Sequence, residues 1–330
     1  MLTKGAIGNL VNRYRAVLKK CNLINTFGSL AVASMLVLGG VGVANAAEST
    51  ITLNGQNATY DASATNPYLN SGYLGTQPNP LTLQGSGTEK VTLAGVGKQC
   101  AIASYANGTI HVNNLKELVV NGLWNSTDAN VDYDGNVFYA QGAKYDNGTQ
   151  DGHALVDIDM PNGTLKTDGV LKQAMLFHAI ATDTTSAKIT VKAKTIDTAT
   201  TSNSIVAQKN GTVDIDAENI SILSTAATTA ITLGANALID INASNGDANI
   251  TSSTSPALWN MAGGAKIIVN ASNDINLKGS KVINADGSNS TTDINAGKNV
   301  TITASDQDAI YAKTQQLMSL LVKILISMAE

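Results

Sequence analysis

Arginine is all but missing from this chain of 330 residues. Arg13 and Arg15 are the only two, and both sit in a basic leader. An enzyme that cleaves acidic sugars would use Arg or Lys to grip uronate carboxylates, so the scarcity weighs against a lyase. Cysteine is as rare, with only Cys21 and Cys100. Cys21 belongs to the leader, so the chain beyond it has Cys100 as its one cysteine and a disulfide framework is excluded. Cys100 is expected to be a small buried apolar residue. The three histidines, His111, His153 and His178, have no Cys or His nearby at metal-ligand spacing. Scattered as they are, they define no catalytic triad, and rung positions facing solvent account for His111 and His178. Acidic residues are missing from the first 46 positions. Five of the 21 basic residues lie there and none of the 25 acidic ones, so the rest of the chain is near −9. Bulk charge of that sign excludes nucleic acid and anionic membranes as electrostatic partners. Calcium would be a natural counter-ion, and Asp132-Tyr133-Asp134-Gly135-Asn136 has oxygen ligands at alternate positions. The bidentate glutamate of a calcium loop is absent, because no Glu lies between Glu117 and Glu218. An ordinary Asp-Gly turn is expected there, and neither metal nor cofactor.

What the chain has in abundance is repetition. A four-residue phrase reads Ala101-Ile102-Ala103-Ser104, then Val137-Phe138-Tyr139-Ala140, then Leu176-Phe177-His178-Ala179. It returns at Ser204-Ile205-Val206-Ala207, Ala230-Ile231-Thr232-Leu233 and Ala257-Leu258-Trp259-Asn260. The last copies are Val282-Ile283-Asn284-Ala285 and Ala309-Ile310-Tyr311-Ala312. Measured at the apolar second position, the steps are 36, 39, 28, 26, 27, 25 and 27 residues. A period settling near 26 marks a stacked repeat.

A second element follows each phrase. Ile110, Val213 and Ile239 each come eight residues after a mark and open an alternating run, such as Val213-Asp214-Ile215-Asp216-Ala217. Similar runs end at Ala193, Ala271 and Ala296. A further apolar pair comes next: Leu118 and Val120, Ile220 and Ile222, Ile275 and Leu277, Val300 and Ile302. One period thus holds three short strands with side chains alternating in and out. Gly, Asn, Asp and Ser fill the corners, where φ > 0 is needed. Strands this short bury a face only by stacking turn on turn. The expected fold is all-β: a parallel β-helix, right-handed, of about 26 residues per turn. Eight turns at about 4.8 Å make a rod of roughly 40 Å.

Residues 1–46 form a secretory signal with a helical apolar core. Its basic positions are Lys4, Arg13, Arg15, Lys19 and Lys20, followed by an apolar run from Leu30 to Val43. Ala44-Asn45-Ala46 is a small-x-small site, with cleavage expected before Ala47. The run is too short to span a membrane. Residues 47–98 are expected to supply an N-terminal cap and the first irregular turns, and residues 99–312 the repeats. Loops should leave the rod at Trp124 to Asn136 and Ala143 to Gly152. Residues 313–330 are an aliphatic tail unlike the rest, read as a helical cap or a frameshifted end. No membrane barrel is expected after it.

The leader segment Asn12-Arg13-Tyr14-Arg15-Ala16-Val17-Leu18-Lys19-Lys20 resembles the extended signal region of type V secreted proteins. Rungs such as Ser204-Ile205-Val206-Ala207-Gln208-Lys209-Asn210-Gly211-Thr212-Val213-Asp214-Ile215 are similar to those of bacterial autotransporter passengers. Ala309-Ile310-Tyr311-Ala312 has the same character. The resemblance covers roughly four-fifths of the chain. It implies a β-helical adhesin or surface structural protein, exported through the inner membrane and carried by an outer-membrane barrel. That barrel is not found in this sequence. With a barrel the passenger would sit at the cell surface or outside the cell, and otherwise in the periplasm. The implied partner is a glycan or protein of a host or bacterial surface. The Gly-Asp-Ser-Gly core of protease passengers is absent.

No catalytic residue is assigned. Asp157 with Asp159, and Asp214 with Asp216, are spaced i, i+2 and so share the outer side of their strands. A solvated face explains them. The alternative is a secreted β-helix enzyme that degrades polysaccharides, since glycoside hydrolysis needs two carboxylates across the bond. A truncated gene remnant is the third reading.

Overall fold

The computed structural model describes residues 48–62, 69–72, 79–97, 100–124, 135–142, 152–172, 174–182, 184–225, 229–305 and 308–312. Outside the described residues lie the leader with Ala44, Ala46 and Ala47, nearly all of both expected loops including Asp132 and Asp134, and the tail 313–330.

Every described strand pairs in parallel, and no helix occurs among the described residues. The chain coils into a β-solenoid of about 8 turns with about 28 residues per turn. The average exceeds 26 because the turns before Phe177 are longer. The repeated phrase forms one nine-stranded sheet. Its strands are Leu69–Ser71, Ile102–Tyr105, Asn136–Gln141, Met175–Ile180, Ile205–Gln208, Ile231–Leu233, Leu258–Asn260, Ile283–Ala285 and Ile310–Ala312. The marks read from the sequence are register partners throughout: Ile102, Phe138, Phe177, Ile205, Ile231, Leu258, Ile283 and Ile310 lie one above the next. Leu69 pairs with Ile102 and begins the column one turn earlier.

The other two strands of each turn belong to a 15-stranded sheet. Its second row stacks Ile110, Val156, Ile189, Val213, Ile239, Ile267 and Thr292. Its third row stacks Leu118, Leu165, Ile196, Ile220, Ala248, Ile275 and Val300. Three separate short strands per turn were expected, yet in mid-chain the second and third rows fuse. His153–Thr167, Ser186–Thr200 and Gly211–Ser224 run through both. The corner explains this. In Ser186–Thr200 and Gly211–Ser224 it has only two outward residues, Lys194-Thr195 and Glu218-Asn219, so the ladder bends without breaking. From Ser244 onward a longer turn interrupts it. There, side chains pair from turn to turn. Asn219 Oδ1 accepts from the Asp247 amide at 3.4 Å, Asp247 Oδ1 from the Asp274 amide at 3.2 Å, and Asp274 Oδ1 from the Asn299 amide at 3.1 Å. At another corner Asn236, Gly264 and Asn289 all take φ near +50° to +70°, which glycine and asparagine tolerate best.

The inward residues form one continuous apolar column. Its bulkiest part is the stacked pair Phe138 and Phe177, with ring centroids 5.2 Å apart and planes 17° apart. One acid is closed off from water near the first turns. The Glu89 carboxylate accepts from the Gly55 amide at 2.7 Å, the Ser86 amide at 2.8 Å, the Ser86 hydroxyl at 2.7 Å and the Thr88 amide at 3.0 Å. Burial by itself would raise its pKa. The bonds from Ser86 and the surrounding backbone outweigh that and hold it at about 2, against 4.5 ordinarily.

Candidate functional site

Parallel in-register stacking converts a position in the repeat into a column of side chains about 4.8 Å apart. On the outer side of the second row, one column reads His111, Asp157, Thr190, Asp214, Asp240, Ile268 and Asp293. The next reads Asn113, Asp159, Lys192, Asp216, Asn242, Asn270 and Asn295. All four acids named from the sequence therefore share this face. They do not touch as two pairs, however. Thr190 separates Asp157 from Asp214, and Lys192 separates Asp159 from Asp216.

Neighbours engage most of these acids. His111 Nδ1 lies 3.1 Å from Asp157 Oδ2, and the Thr190 hydroxyl donates to the other oxygen. Lys188 Nζ is 3.1 Å from Asp214 Oδ2, and Lys266 Nζ is 3.0 Å from Asp293 Oδ2. Asn242 Nδ2 donates to Asp216 Oδ1 at 3.3 Å, and Asn295 Nδ2 to Asn270 Oδ1 at 2.9 Å. Asp240 stands directly beside Asp214 in the column. Its Oδ1 is shut off from water and has no hydrogen-bond partner. Burial raises its pKa, the neighbouring Asp214 carboxylate raises it further, and Lys266 opposes both. Two carboxyl groups on adjacent turns, with the pKa of Asp240 raised by its burial, form an arrangement that can divide acid and base roles.

Asp240 was not among the acids singled out from the sequence. The signal was present: Val213-Asp214-Ile215 and Ile239-Asp240-Ile241 both begin eight residues after a phrase mark, which places one acid over the other. Its charge works against the fold. Because its folded pKa is raised, the folded state holds the proton longer, so this group's contribution to stability falls as pH rises through the carboxylate range. Asp240→Asn is expected to remove that fall and to raise stability at pH 7 by at most about 1 kcal/mol, the scale of exposed charge pairs. Thermal melts at pH 7 and at pH 3.5 would measure it, and a destabilised variant at pH 7 would contradict it.

His178 corrects an expectation. It does occupy the outer side of the phrase sheet, but it is buried, with 3% of its surface exposed. Its Nδ1 donates to Asn136 Oδ1 at 3.2 Å, and its ring meets Tyr139 edge-on at 5.3 Å. Nε2 has no hydrogen-bond partner. Burial lowers its pKa from 6.5 to about 4, so the imidazole is neutral. Cys100, Ala103, Tyr105 and Tyr139 form a small second apolar cluster on this outer side. Cys100 is buried, as expected from sequence. Alternation alone placed His178 outward and gave no sign that it is covered. His111 is half-exposed, and His153 is exposed with Nδ1 2.6 Å from the Ser186 hydroxyl.

No protein-family model, curated protein or solved structure matches this chain. The fold is compatible with an autotransporter passenger, and what the rod does rests on its surface.

Proposed function

We propose that this chain is a non-catalytic binding rod, the adhesin-like or structural passenger of a type V autotransporter. The observation that carries the reading is the register. Strands stacked in register set the exposed side chains of successive turns at one spacing, as in the outer columns of the 15-stranded sheet, so individually weak contacts add along the axis. The leader, the cysteine-poor composition and the acidic charge support the same reading. The partner is a glycan or protein on a host or bacterial surface, and the parent protein would supply the translocator barrel. Such a chain is exported through the inner membrane, to the cell surface with a barrel and to the periplasm without one. Beads coated with the chain from residue 48 should bind host cells, matrix proteins or partner bacteria, more steeply as coating density rises. Beads that bind none of these surfaces at any density would sink the proposal.

A second reading has one observation in its favour. Asp214 and Asp240 sit on adjacent turns, and burial raises the pKa of Asp240 as a general acid in glycoside hydrolysis requires. Oligosaccharide release from a polysaccharide panel, abolished by Asp214→Asn and by Asp240→Asn, would replace the binding rod with a secreted enzyme.

A further inference from the structure

The outer side of the phrase sheet changes character along the rod. Its central column runs Ala103, Tyr139, His178, Val206, Thr232, Trp259, Asn284 and Tyr311. As far as Val206 it is covered. From Thr232 onward it opens, and there it carries two aromatics. Trp259 is half-buried, and Tyr311 is 37% exposed. Both rings are held in place by neighbours. Trp259 Nε1 donates to Asp286 Oδ2 at 3.0 Å, and Lys281 Nζ sits 5.1 Å from the centroid of the Tyr311 ring. Between them lies the half-buried Asn284, whose Oδ1 is shut off from water. Met261, 45% exposed, extends the apolar surface beside Trp259.

We infer that Trp259 and Tyr311 form a platform for a neutral, extended polysaccharide lying along the coil axis. Trp259 and Tyr311 are two turns apart, about 9–10 Å at the backbone, close to the length of two sugar units in an extended β-linked chain. Aromatic rings stack on the apolar faces of sugars. Trp259 and Asn284 stand on strands paired on both sides, so there the face offers side chains and no open backbone edge; Ile310–Ala312 is the end strand of the sheet among the described residues. Charge selects among glycans. Lys281 and Asp286 offset each other, and the net charge near −9 beyond the leader repels an acidic polymer.

This deepens the binding-rod reading and rests on it for the rod's biological use, but its test is separate. The chain from residue 48 would be titrated with cellohexaose and chitohexaose, followed by calorimetry and tryptophan fluorescence, with an oligogalacturonate as the acidic control. Saturable binding of a neutral hexasaccharide is expected, with the acidic one weaker. Trp259→Thr and Tyr311→Thr should each weaken it roughly tenfold. Threonine is chosen because Thr232 already occupies this column, so the rung is preserved, and circular dichroism would verify it. Binding that survives the double substitution, or no binding of either neutral hexasaccharide, overturns the proposal. Cell adhesion without hexasaccharide binding retires this platform and keeps the rod. Hexasaccharide binding without adhesion keeps the platform and retires the adhesin.

Discussion

Phe177→Ala is expected to destabilise the coil by about 3–5 kcal/mol, the range for emptying an aromatic site in a packed core. The ring is fully buried and stacks on Phe138 with centroids 5.2 Å apart, while Ile205 lies on its other side. These turns cannot close the gap by sliding, because the backbone ladders above and below fix their spacing. In a solenoid each turn contacts only its neighbours, so the damage should be local. Hydrogen exchange should show protection lost first around Phe138 and Ile205, and much later around Ile283. Urea unfolding would supply the total. A loss below about 1 kcal/mol, or a uniform loss of protection along the rod, would contradict a stack that holds its two neighbouring turns together.

Acid should destabilise the protein in two separable steps. The first belongs to His178. Its folded pKa, about 4, lies below the ordinary 6.5 because the ring is buried. Between these values the unfolded chain takes a proton that the folded one refuses. Stability is therefore complete above pH 6.5 and falls as pH drops to 4, by about 3 kcal/mol in total. The second step belongs to Glu89, whose folded pKa of about 2 lies below 4.5. Here the folded carboxylate resists protonation, so its contribution is complete above pH 4.5 and is lost as pH falls to 2. The carboxylate is closed off by its own turn rather than sunk in the core. His178→Val should flatten the upper step and leave the lower; valine suits the site because Val206 stands next to it in the same column. Glu89→Gln should do the reverse and also lower stability at pH 7, because an amide cannot accept from all four donors. Urea midpoints measured from pH 8 to pH 2 would test both. A profile for His178→Val identical to that of the parent chain would remove the histidine from the account.

Where sequence and structure agree, the reason is the repeat itself. Parallel strands stacked in register impose the same in-or-out requirement at the same place on every turn. The marks from Ile102 to Ile310 were therefore visible as a period and proved to be backbone partners. The corners were visible for a related cause, since Asn236, Gly264 and Asn289 answer one left-handed bend. Alternation put Asp157, Asp159, Asp214 and Asp216 on the outside, and they are there.

The sequence by itself thus determined the fold class, the coil's period, the inward column and the side of the sheet each acid occupies. These depend on periods of 2 and about 26, which a linear chain displays directly. Only the tertiary structure decided which outer residues meet and which are covered. Asp157 is engaged by His111 and Thr190 while Asp240 Oδ1 is shut off without a partner, although both acids stand in one outer column. The second and third rows fuse in mid-chain because two-residue corners let the hydrogen-bond ladder pass. His178 is shielded while Tyr311 is open, although both hold the same place in the repeat. Alternation fixes the side of the sheet on which a residue stands, whereas its exposure depends on what packs over that side.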